Sequence, residues 1–360
     1  MIIIDGAKLA KLITRKRDKL GNASRGLRAT LVALLGLGCI AQAAQAQVGV
    51  GSGAPASGAG VASWPEKPLR LVVPFVTGGA ADSAARILAP ALHKKLGQSV
   101  IVENRPGAGA AIGTAAVAAA RPDGYTLLMG SASNAIGNLL YKNLPYVFAR
   151  DLEPILLVAE VPGVMVVPRS LPVQDLAGFL AYAKAHPGEV TYGSPGVGTS
   201  VHLAGELLES MTGVSMLHVP YKGAAPAMTD LLGARLQVMF PALSAAQVHI
   251  KAGALRVLAV TTAQRSSLVP DIPTVAELGL SGYEVGGWIG VFAPTGLDLN
   301  VSAHLQLVLT EALSEPEILQ TFFSAGIEPT PATAQVLRAR VQADATRWEK
   351  LIQMKRIELQ

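Results

Sequence analysis

A glycine-bearing turn without lysine or arginine separates an apolar run from a helical pattern in PFVTGGAADSAAR, residues 74–86. Gly78 and Gly79 let the backbone approach a ligand closely, and Thr77 adds a hydroxyl. Because the turn opens a helix, its free N–H groups and the helix dipole favour an anion. Asp82 either caps this helix or accepts a hydrogen bond from a ligand. The stretch therefore predicts either an ordinary strand-to-helix turn or an anion site built from the backbone.

A second turn of the same design occurs in SPGVGTSVHL, residues 194–203. Ser194, Thr199 and Ser200 surround two glycines immediately before another helical pattern. One such turn is weak evidence for binding, but two turns in different halves of the chain favour a cleft that grips a small anion from both sides. A cleft of this kind lets ligand contacts drive closure of two domains.

Glycines in PGAGAAIG, residues 106–113, suggest a dinucleotide-binding turn, but the details do not fit. The spacing is G-x-G-x-x-x-G, and Pro106 interrupts the join between strand and turn. The acidic residue at about the right distance, Asp123, lies in a Pro-Asp-Gly turn and not at a strand end. We therefore expect no cofactor.

Catalytic and metal-binding patterns are missing from the sequence. It contains no G-x-S-x-G or Walker A motif, and its six histidines have no metal-ligand spacing. A hydrolase that uses Ser194 with His202 or His218 and an oxidoreductase built on PGAGAAIG are the enzymatic alternatives. We expect a binding protein without catalytic residues or a metal, in which each of these histidines is a hydrogen-bonded structural residue.

Short apolar runs alternate with helical patterns from about residue 64 onward. This alternation predicts βαβ units, largely parallel sheets and an α/β fold of two doubly wound domains. Ligands of such sheets bind beyond the carboxyl ends of the strands. That rule points to the loops PFVTGG, MGSASN, YGSPGVGTS and VPYKGAAP.

The N-terminal region has the pattern of an export signal. Residues 1–46 carry eight basic and two acidic side chains, so the net charge of +5 belongs to this segment and the rest shows no nucleic-acid patch. An apolar run precedes Ala-Gln-Ala, which predicts a signal peptide over 1–46 with cleavage after Ala46; a membrane anchor is the alternative. Cys39, the sole cysteine, would leave with it, which excludes disulfides. Residues 47–63 are predicted to be a flexible linker.

Several long motifs in order resemble the Bug family, extracytoplasmic solute receptors of the tripartite tricarboxylate transporter type. The resemblance runs from about Trp64 to Trp348. The motifs that carry it are KPLRLVVPFVTGGAADSAAR, VENRPGAGAAIGTAAVAAARPDGYTLLMGS, YGSPGVGTSVHLAGELL, HVPYKGAAPAMTDLLGARLQVMF and LRVLAVTTAQRSSLVPDIPTVAELGL.

The resemblance implies a two-domain periplasmic-binding-protein fold, type II-like, with a ligand cleft between the domains. The ligand would be a small carboxylate, such as a di- or tricarboxylate, an amino acid or an aromatic acid, held by backbone amides and hydroxyls. The implied ligand-binding residues are Phe75, Thr77, Gly78, Gly79, Asp82, Ser131, Ser133, Asn134, Ser194, Gly198, Thr199, Tyr221 and Gly223. Thr77 and Pro241 depart from the family pattern, so ligand preference can differ here.

The resemblance also implies a cellular compartment and partner proteins. We expect a monomeric periplasmic receptor that delivers its ligand to integral membrane transporter subunits; a ligand sensor for a membrane signalling kinase is the alternative. Domain 1 is expected over 64–166 plus 288–360, and domain 2 over 167–287.

Overall fold

The structure, a computed structural model, describes residues 64–141 and 143–357. The predicted signal peptide over 1–46, its cleavage after Ala46 and the linker over 47–63 lie outside the described residues. Within the described ranges, every helix is too short or too polar to span a bilayer.

The first lobe is built on six strands, with helices on both faces. The strands are β1 (Leu69–Val73), β2 (Val100–Asn104), β3 (Thr126–Ser131), β4 (Leu152–Val161), β10 (Gly287–Pro294) and β11 (Glu328–Thr333). The helices joined to them are α1 (Ala80–Leu96), α2 (Ala111–Ala118), α3 (Ala132–Leu140), α4 (Phe148–Asp151), α9 (Leu299–Ala312), α10 (Pro316–Ser324) and α11 (Ala334–Lys355), with a 3₁₀ turn at Ala108–Ala110. The strand order is β11-β4-β10-β3-β1-β2.

The second lobe is built on five strands. They are β5 (Val164–Pro168), β6 (Val190–Ser194), β7 (Met216–Pro220), β8 (Val238–Met239) and β9 (Leu255–Val260). The helices are α5 (Leu176–Ala185), α6 (Ser200–Thr212), α7 (Ala224–Leu232) and α8 (Leu243–Lys251). The strand order is β7-β6-β8-β5-β9.

Both sheets are mixed, whereas the sequence predicts largely parallel ones. β1 pairs in parallel with β2 and β3, and β6 pairs in parallel with β7 and β8. β10 runs antiparallel to β3 and β4, β11 runs antiparallel to β4, and β5 runs antiparallel to β8 and β9. β5 is the first strand after the chain enters the second lobe, and β10 is the first strand after it returns to the first lobe.

Alternation along β1 shows how the first lobe forms three layers. Leu71 and Val73 are buried in one apolar cluster with Leu88 of α1, whereas Val72 is buried in another with Val117 of α2. Successive side chains of a strand point to opposite faces, so one strand packs against helices on both sides. The strand ends at the same edge of the sheet as β3, its neighbour, which fixes the position of the two following loops.

Two neighbouring segments carry the chain between the lobes. The first joins β4 to β5 through Pro162 and Gly163, and the second runs from β9 to β10. The Thr261 amide donates to the Gly163 carbonyl at 2.9 Å, and the Val285 amide donates to the Thr261 carbonyl at 2.7 Å. The two crossing segments are therefore hydrogen-bonded to each other.

Helix α11 contacts the cores of both lobes. Leu337 and Val341 pack with Trp288 in a first-lobe cluster, whereas Trp348 and Leu351 belong to the second-lobe cluster. Both tryptophans, Trp288 and Trp348, are buried. The last helix of the described chain therefore ties the two lobes together.

Gly163→Ala should destabilise the protein by about 2 kcal/mol, because a methyl group in a filled interior forces the surrounding atoms to shift. A Cβ at this position would overlap Thr261 Oγ1, which donates to the Val285 carbonyl in a buried site. Adding Thr261→Ala removes the overlapping oxygen, so the double variant should lose less stability than the two single losses combined. Urea unfolding of the three variants measures this, and strictly additive losses would contradict it.

Candidate functional site

The first-lobe loop joins β1 to α1 and is open to solvent. Phe75 is half-buried, and the four residues 76–79 are exposed. Gly78 has φ +89°, a conformation that favours glycine. Gly79 has φ −80°, and a Cβ there would meet nothing closer than the Val76 carbonyl oxygen at 4.0 Å. Gly79 is therefore needed neither for backbone conformation nor for internal packing, and its bare Cα leaves room above the loop.

Asp82 holds this loop from behind. Its carboxylate, in a residue only 3% exposed, accepts hydrogen bonds from the Gly78 amide at 2.9 Å, from Arg86 Nε at 3.0 Å and from Asn104 Nδ2 at 2.9 Å. Burial acts to raise the pKa of Asp82, but the hydrogen bonds from Arg86, Gly78 and Asn104 together hold that pKa below its usual value. The carboxylate therefore supports the loop and is not the side-chain cap of α1, whose N-cap is Gly79.

The loop after β3 lies beside the first-lobe loop, because β3 and β1 are neighbours in the sheet. Ser131 and Ser133 are half-buried. Asn134 is 1% exposed; its Oδ1 accepts the Ser131 amide at 2.8 Å and its Nδ2 donates to Thr114 Oγ1 at 2.7 Å. Asn134 therefore fixes the start of α3, while the two serines keep part of their surface accessible.

The second-lobe loop between β6 and α6 is strongly hydrogen-bonded within itself. Ser194 is fully buried, and its Oγ contacts the amide and carbonyl of Gly196 at 3.1 and 2.9 Å. Thr199 is the N-cap of α6: its Oγ1 accepts the His202 amide at 3.3 Å and donates to the Gly196 carbonyl at 2.8 Å. The Gly198 amide donates to His202 Nδ1 at 3.0 Å. These bonds fix the shape of the turn.

Tyr221 and Gly223 follow β7, the neighbour of β6, so they lie at the same edge of the second sheet. The Tyr221 amide donates to the Ser194 carbonyl at 2.9 Å, and the Tyr221 hydroxyl donates to Asp230 at 2.8 Å. Burial, together with this bond to a carboxylate, raises the pKa of Tyr221 to about 12. Gly223 has φ +150° at the start of α7. The structure thus brings the five predicted second-lobe residues together.

Helices α3 and α6, which begin at the two sets of loops, contact each other. Ile136 of α3 is buried in the second-lobe cluster that also contains Leu203 of α6. Ser133 and Thr199 lie at the first turns of these helices. One predicted residue from each lobe, Ser133 and Thr199, therefore lies at the start of a helix that takes part in the contact between the lobes.

Ser194 Oγ and His218 Nε2 are 2.7 Å apart, which is the nucleophile–base contact of an acyl-transfer enzyme. The serine is buried, however, and its Oγ is shared with both backbone groups of Gly196. In the described part of the chain, no carboxylate is hydrogen-bonded to His218 as a triad would need. The pair therefore shapes the loop.

The glycines of PGAGAAIG are explained by packing. A Cβ at Gly113 would lie 2.7 Å from the Arg105 carbonyl oxygen and 2.8 Å from the Pro74 Cβ. A Cβ at Gly109 would lie 2.9 Å from the Tyr141 ring, and Gly107 has φ +128°. These positions admit no side chain, which accounts for the glycines without a nucleotide. Across residues 64–141 and 143–357, no group of three His, Cys, Asp or Glu side chains is arranged to hold a metal ion.

Sequence reasoning missed the side chains that support the loops. Arg86 and Asn104, which hold Asp82, were not singled out. His202, expected to be a hydrogen-bonded structural histidine, accepts the Gly198 amide, but that partner was not foreseen. Asn104 ends β2, which pairs in parallel with β1, so its position at a strand end was an available signal. Arg86 and His202 lie four residues after Asp82 and Gly198, the spacing of one helical turn.

Comparison with known proteins shows which family the chain resembles. Residues 84–357 match the family model described as tripartite tricarboxylate transporter family receptor. Protein BugT of Bordetella pertussis is 38% identical over 292 residues, which cover 81% of this chain and 90% of BugT. Rpa4515 of R. palustris, solved with adipate, is 36% identical with a TM-score of 0.75, covering 82% of this chain and 99% of that one. MatC of Rhodopseudomonas palustris, solved with malate, is 29% identical with a TM-score of 0.71, covering 80% of this chain and 100% of that one.

Proposed function

The chain belongs to the tripartite tricarboxylate transporter receptor family, and we propose that it captures a small organic carboxylate between its lobes and delivers it to membrane transporter subunits. Receptors of this family bind and release their ligands, so we propose capture and handover without covalent chemistry. The chain would act in the periplasm as a monomer, after export by a cleavable signal.

The exposed first-lobe loop is the observation that carries the proposal. It offers backbone donors at the start of α1, has no lysine or arginine and leaves open space above Gly79. The first N–H groups of a helix have no partner within the helix and favour an anion. The Gly78 amide is already used by Asp82, so the donors proposed for the ligand are those of Thr77, Gly79 and the residues that begin α1.

We propose that the predicted residues divide into contacts and supports. Thr77, Gly79, Ser131, Ser133 and Thr199 keep accessible surface and would contact the ligand, together with the exposed or half-buried Phe75, Gly78, Tyr221 and Gly223. Asp82, Asn134 and Ser194 are buried, and would act by holding the loops in place. Gly198 is buried as well and its amide is already used by His202, so it too would act by holding the loop.

The proposed domains follow the two sheets. Domain 1 is proposed over 64–166 plus 288–360 and domain 2 over 167–287. The pairing of β10 with the first sheet supports the return near residue 287, and the passage from β4 to β5 lies at Pro162 and Gly163, a few residues before the proposed boundary. Closure of these domains would trap the ligand at their shared edge.

The ligand class most worth testing is a linear dicarboxylate, because relatives were solved with adipate and with malate. A carboxylate present at a hundred times its Kd should stabilise the folded protein by about 2.7 kcal/mol and raise its Tm by roughly 5 °C. A thermal-shift screen of mono-, di- and tricarboxylates, followed by calorimetry on the hits, measures this. Sodium chloride at equal ionic strength and the uncharged diamide of adipate are the controls. A screen in which no carboxylate raises the Tm above these controls would overturn the proposal.

A further inference from the structure

Three aromatic rings stack beneath the second-lobe loop, and we call them the histidine stack: Tyr192, His218 and His202. The ring centroids of His202 and His218 are 3.9 Å apart, and those of His218 and Tyr192 are 4.8 Å apart. Each histidine also holds the loop: His218 Nε2 meets Ser194 Oγ, and His202 Nδ1 meets the Gly198 amide. The stack therefore forms the floor of the turn.

The backbone fixes the protonation of His202. An amide N–H can only donate, so Nδ1, at 3.0 Å from the Gly198 nitrogen, must be an unprotonated acceptor. The ring proton then lies on Nε2, which faces Glu206 Oε1 at 3.5 Å. The loop in this shape thus requires the neutral Nε2–H tautomer of His202, which is 5% exposed.

We propose that His202 is a positioning residue for the ligand-binding turn, and that this turn keeps its binding shape only while the His202 ring is neutral. The inference rests on the proposed function, in which the turn holds the carboxylate. A proton on Nδ1 would place two donors against each other and break the bond to Gly198. Protonation of His202 and ligand binding therefore exclude each other.

The charged groups nearest the His202 ring are Glu206, Glu209 and Lys355. Glu206 faces Nε2, accepts from the Tyr192 hydroxyl at 2.7 Å and pairs with Lys355 of α11 at 3.3 Å; Lys355 also pairs with Glu209 at 3.0 Å. Burial opposes ionisation of Glu206, but hydrogen bonds from His202 and Tyr192 and the charge of Lys355 lower its pKa to about 2. The Glu206 carboxylate therefore lies at Nε2 of His202, while the Gly198 amide lies at Nδ1.

His218 is difficult to protonate in its buried position. Burial, followed by the adjacent His202, lowers the pKa of His218 to about 4, and Glu206 offsets only part of this. A charge on both rings at 3.9 Å separation would be strongly repulsive, so the stack accepts one proton before the second. The geometry assigns the pH response of the loop to His202, because its Nδ1 accepts the Gly198 amide.

The consequence is a measurable linkage between protons and ligand. Where the free protein holds a proton on His202, binding must release it, and affinity falls by up to tenfold for each unit that the pH decreases. Calorimetry with adipate and malate from about pH 8 to about pH 6, in buffers of different ionisation enthalpy, measures affinity and the proton release together.

Two substitutions at His202 separate the effect of its hydrogen-bond acceptor from the effect of its side-chain volume. His202→Leu removes the acceptor and should lower affinity about tenfold at the alkaline end, with no pH response from this site. His202→Asn places Oδ1 where Nδ1 was and cannot titrate, so it should regain part of that affinity and lose the proton release. His93→Gln, on the exposed surface of α1, is the control and should keep the wild-type profile. Because protonation of the ligands themselves affects all four proteins equally, it cancels in the comparison.

NMR of the ligand-free protein tests whether the loop responds to protonation of His202. Nitrogen shifts of the His202 ring should report the Nε2–H tautomer at the alkaline end, and the Gly198 amide should shift with the same midpoint as His202. A His202→Asn protein that releases as many protons as the wild type on binding, or a Gly198 amide insensitive to His202 titration, would overturn the inference. If neither carboxylate binds at any pH, the proposed function fails for these ligands, while the NMR arm still decides the inference.

Discussion

Gly79→Val should weaken carboxylate binding by at least about 100-fold, equivalent to about 2.7 kcal/mol, and leave the fold intact. The valine would occupy the open space above the first-lobe loop, where the proposed ligand approaches the backbone. The extended backbone of Gly79 accepts a side chain without strain, and no atom within 4 Å other than the Val76 carbonyl oxygen opposes its Cβ. Since valine is a poorer N-cap than glycine, a stability loss of about 1 kcal/mol is expected.

The matched control is Gly233→Val at the exposed end of α7. Gly233 also has an ordinary backbone conformation, with φ −80°, and its Cβ would make only normal contacts at 3.5 Å or more. Calorimetry gives the affinities and urea unfolding gives the stabilities of both variants. Gly79→Ala should fall between wild type and valine in affinity. A Gly79→Val protein that binds carboxylates as the wild type does would place the ligand elsewhere.

Elements with local signals could be predicted from the sequence. Helix α1 ends at Gly97 and α6 at Gly213, and both glycines are left-handed caps, with φ +69°. Such ends follow from one residue, because glycine adopts the left-handed conformation without steric cost. The strand β1 was expected from its apolar run, and the structure places it at Leu69–Val73.

Strand β11 could not be predicted, because its sequence EPTPAT has none of the usual signals. Two prolines interrupt the run, and its pairing with β4 is irregular between Pro329 and Ala332. An edge strand tolerates proline because one side of the strand needs no partner. Such a strand forms through pairing with β4, a tertiary contact that no local pattern contains.

The loops of the candidate site were predictable, but the side chains that support them were not. Glycine and hydroxyl residues at strand ends mark Gly78 and Thr199 from spacing alone. The bond from Asn104 to Asp82 depends on the direction of two side chains across neighbouring strands. The bond from Gly198 to His202 depends likewise on the turn conformation. Composition does not encode those directions, and only the packed structure provides them.

Asp82→Asn should lower the free energy of unfolding by about 2 kcal/mol and weaken carboxylate binding by about tenfold. Every group that meets the buried carboxylate is a donor: the Gly78 amide, Arg86 Nε and Asn104 Nδ2. The new amide group would put its own N–H atoms against one of these donors, leaving the loop without its support. Arg86→Gln is the control, because the Arg86 side chain is 51% exposed and its loss should cost less than about 1 kcal/mol.

At acidic pH, the difference in the free energy of unfolding between wild type and Asp82→Asn should disappear. The folded protein holds the pKa of Asp82 below the usual 3.8, so the carboxylate stabilises the fold above that pH and loses its contribution as the pH falls through the lower value. Urea unfolding at about pH 7 should therefore separate the two proteins, and the separation should shrink below about pH 4. Equal stability of the two proteins at neutral pH would mean that Asp82 does not hold the loop, and the binding site would then lose the support that this structure assigns to it.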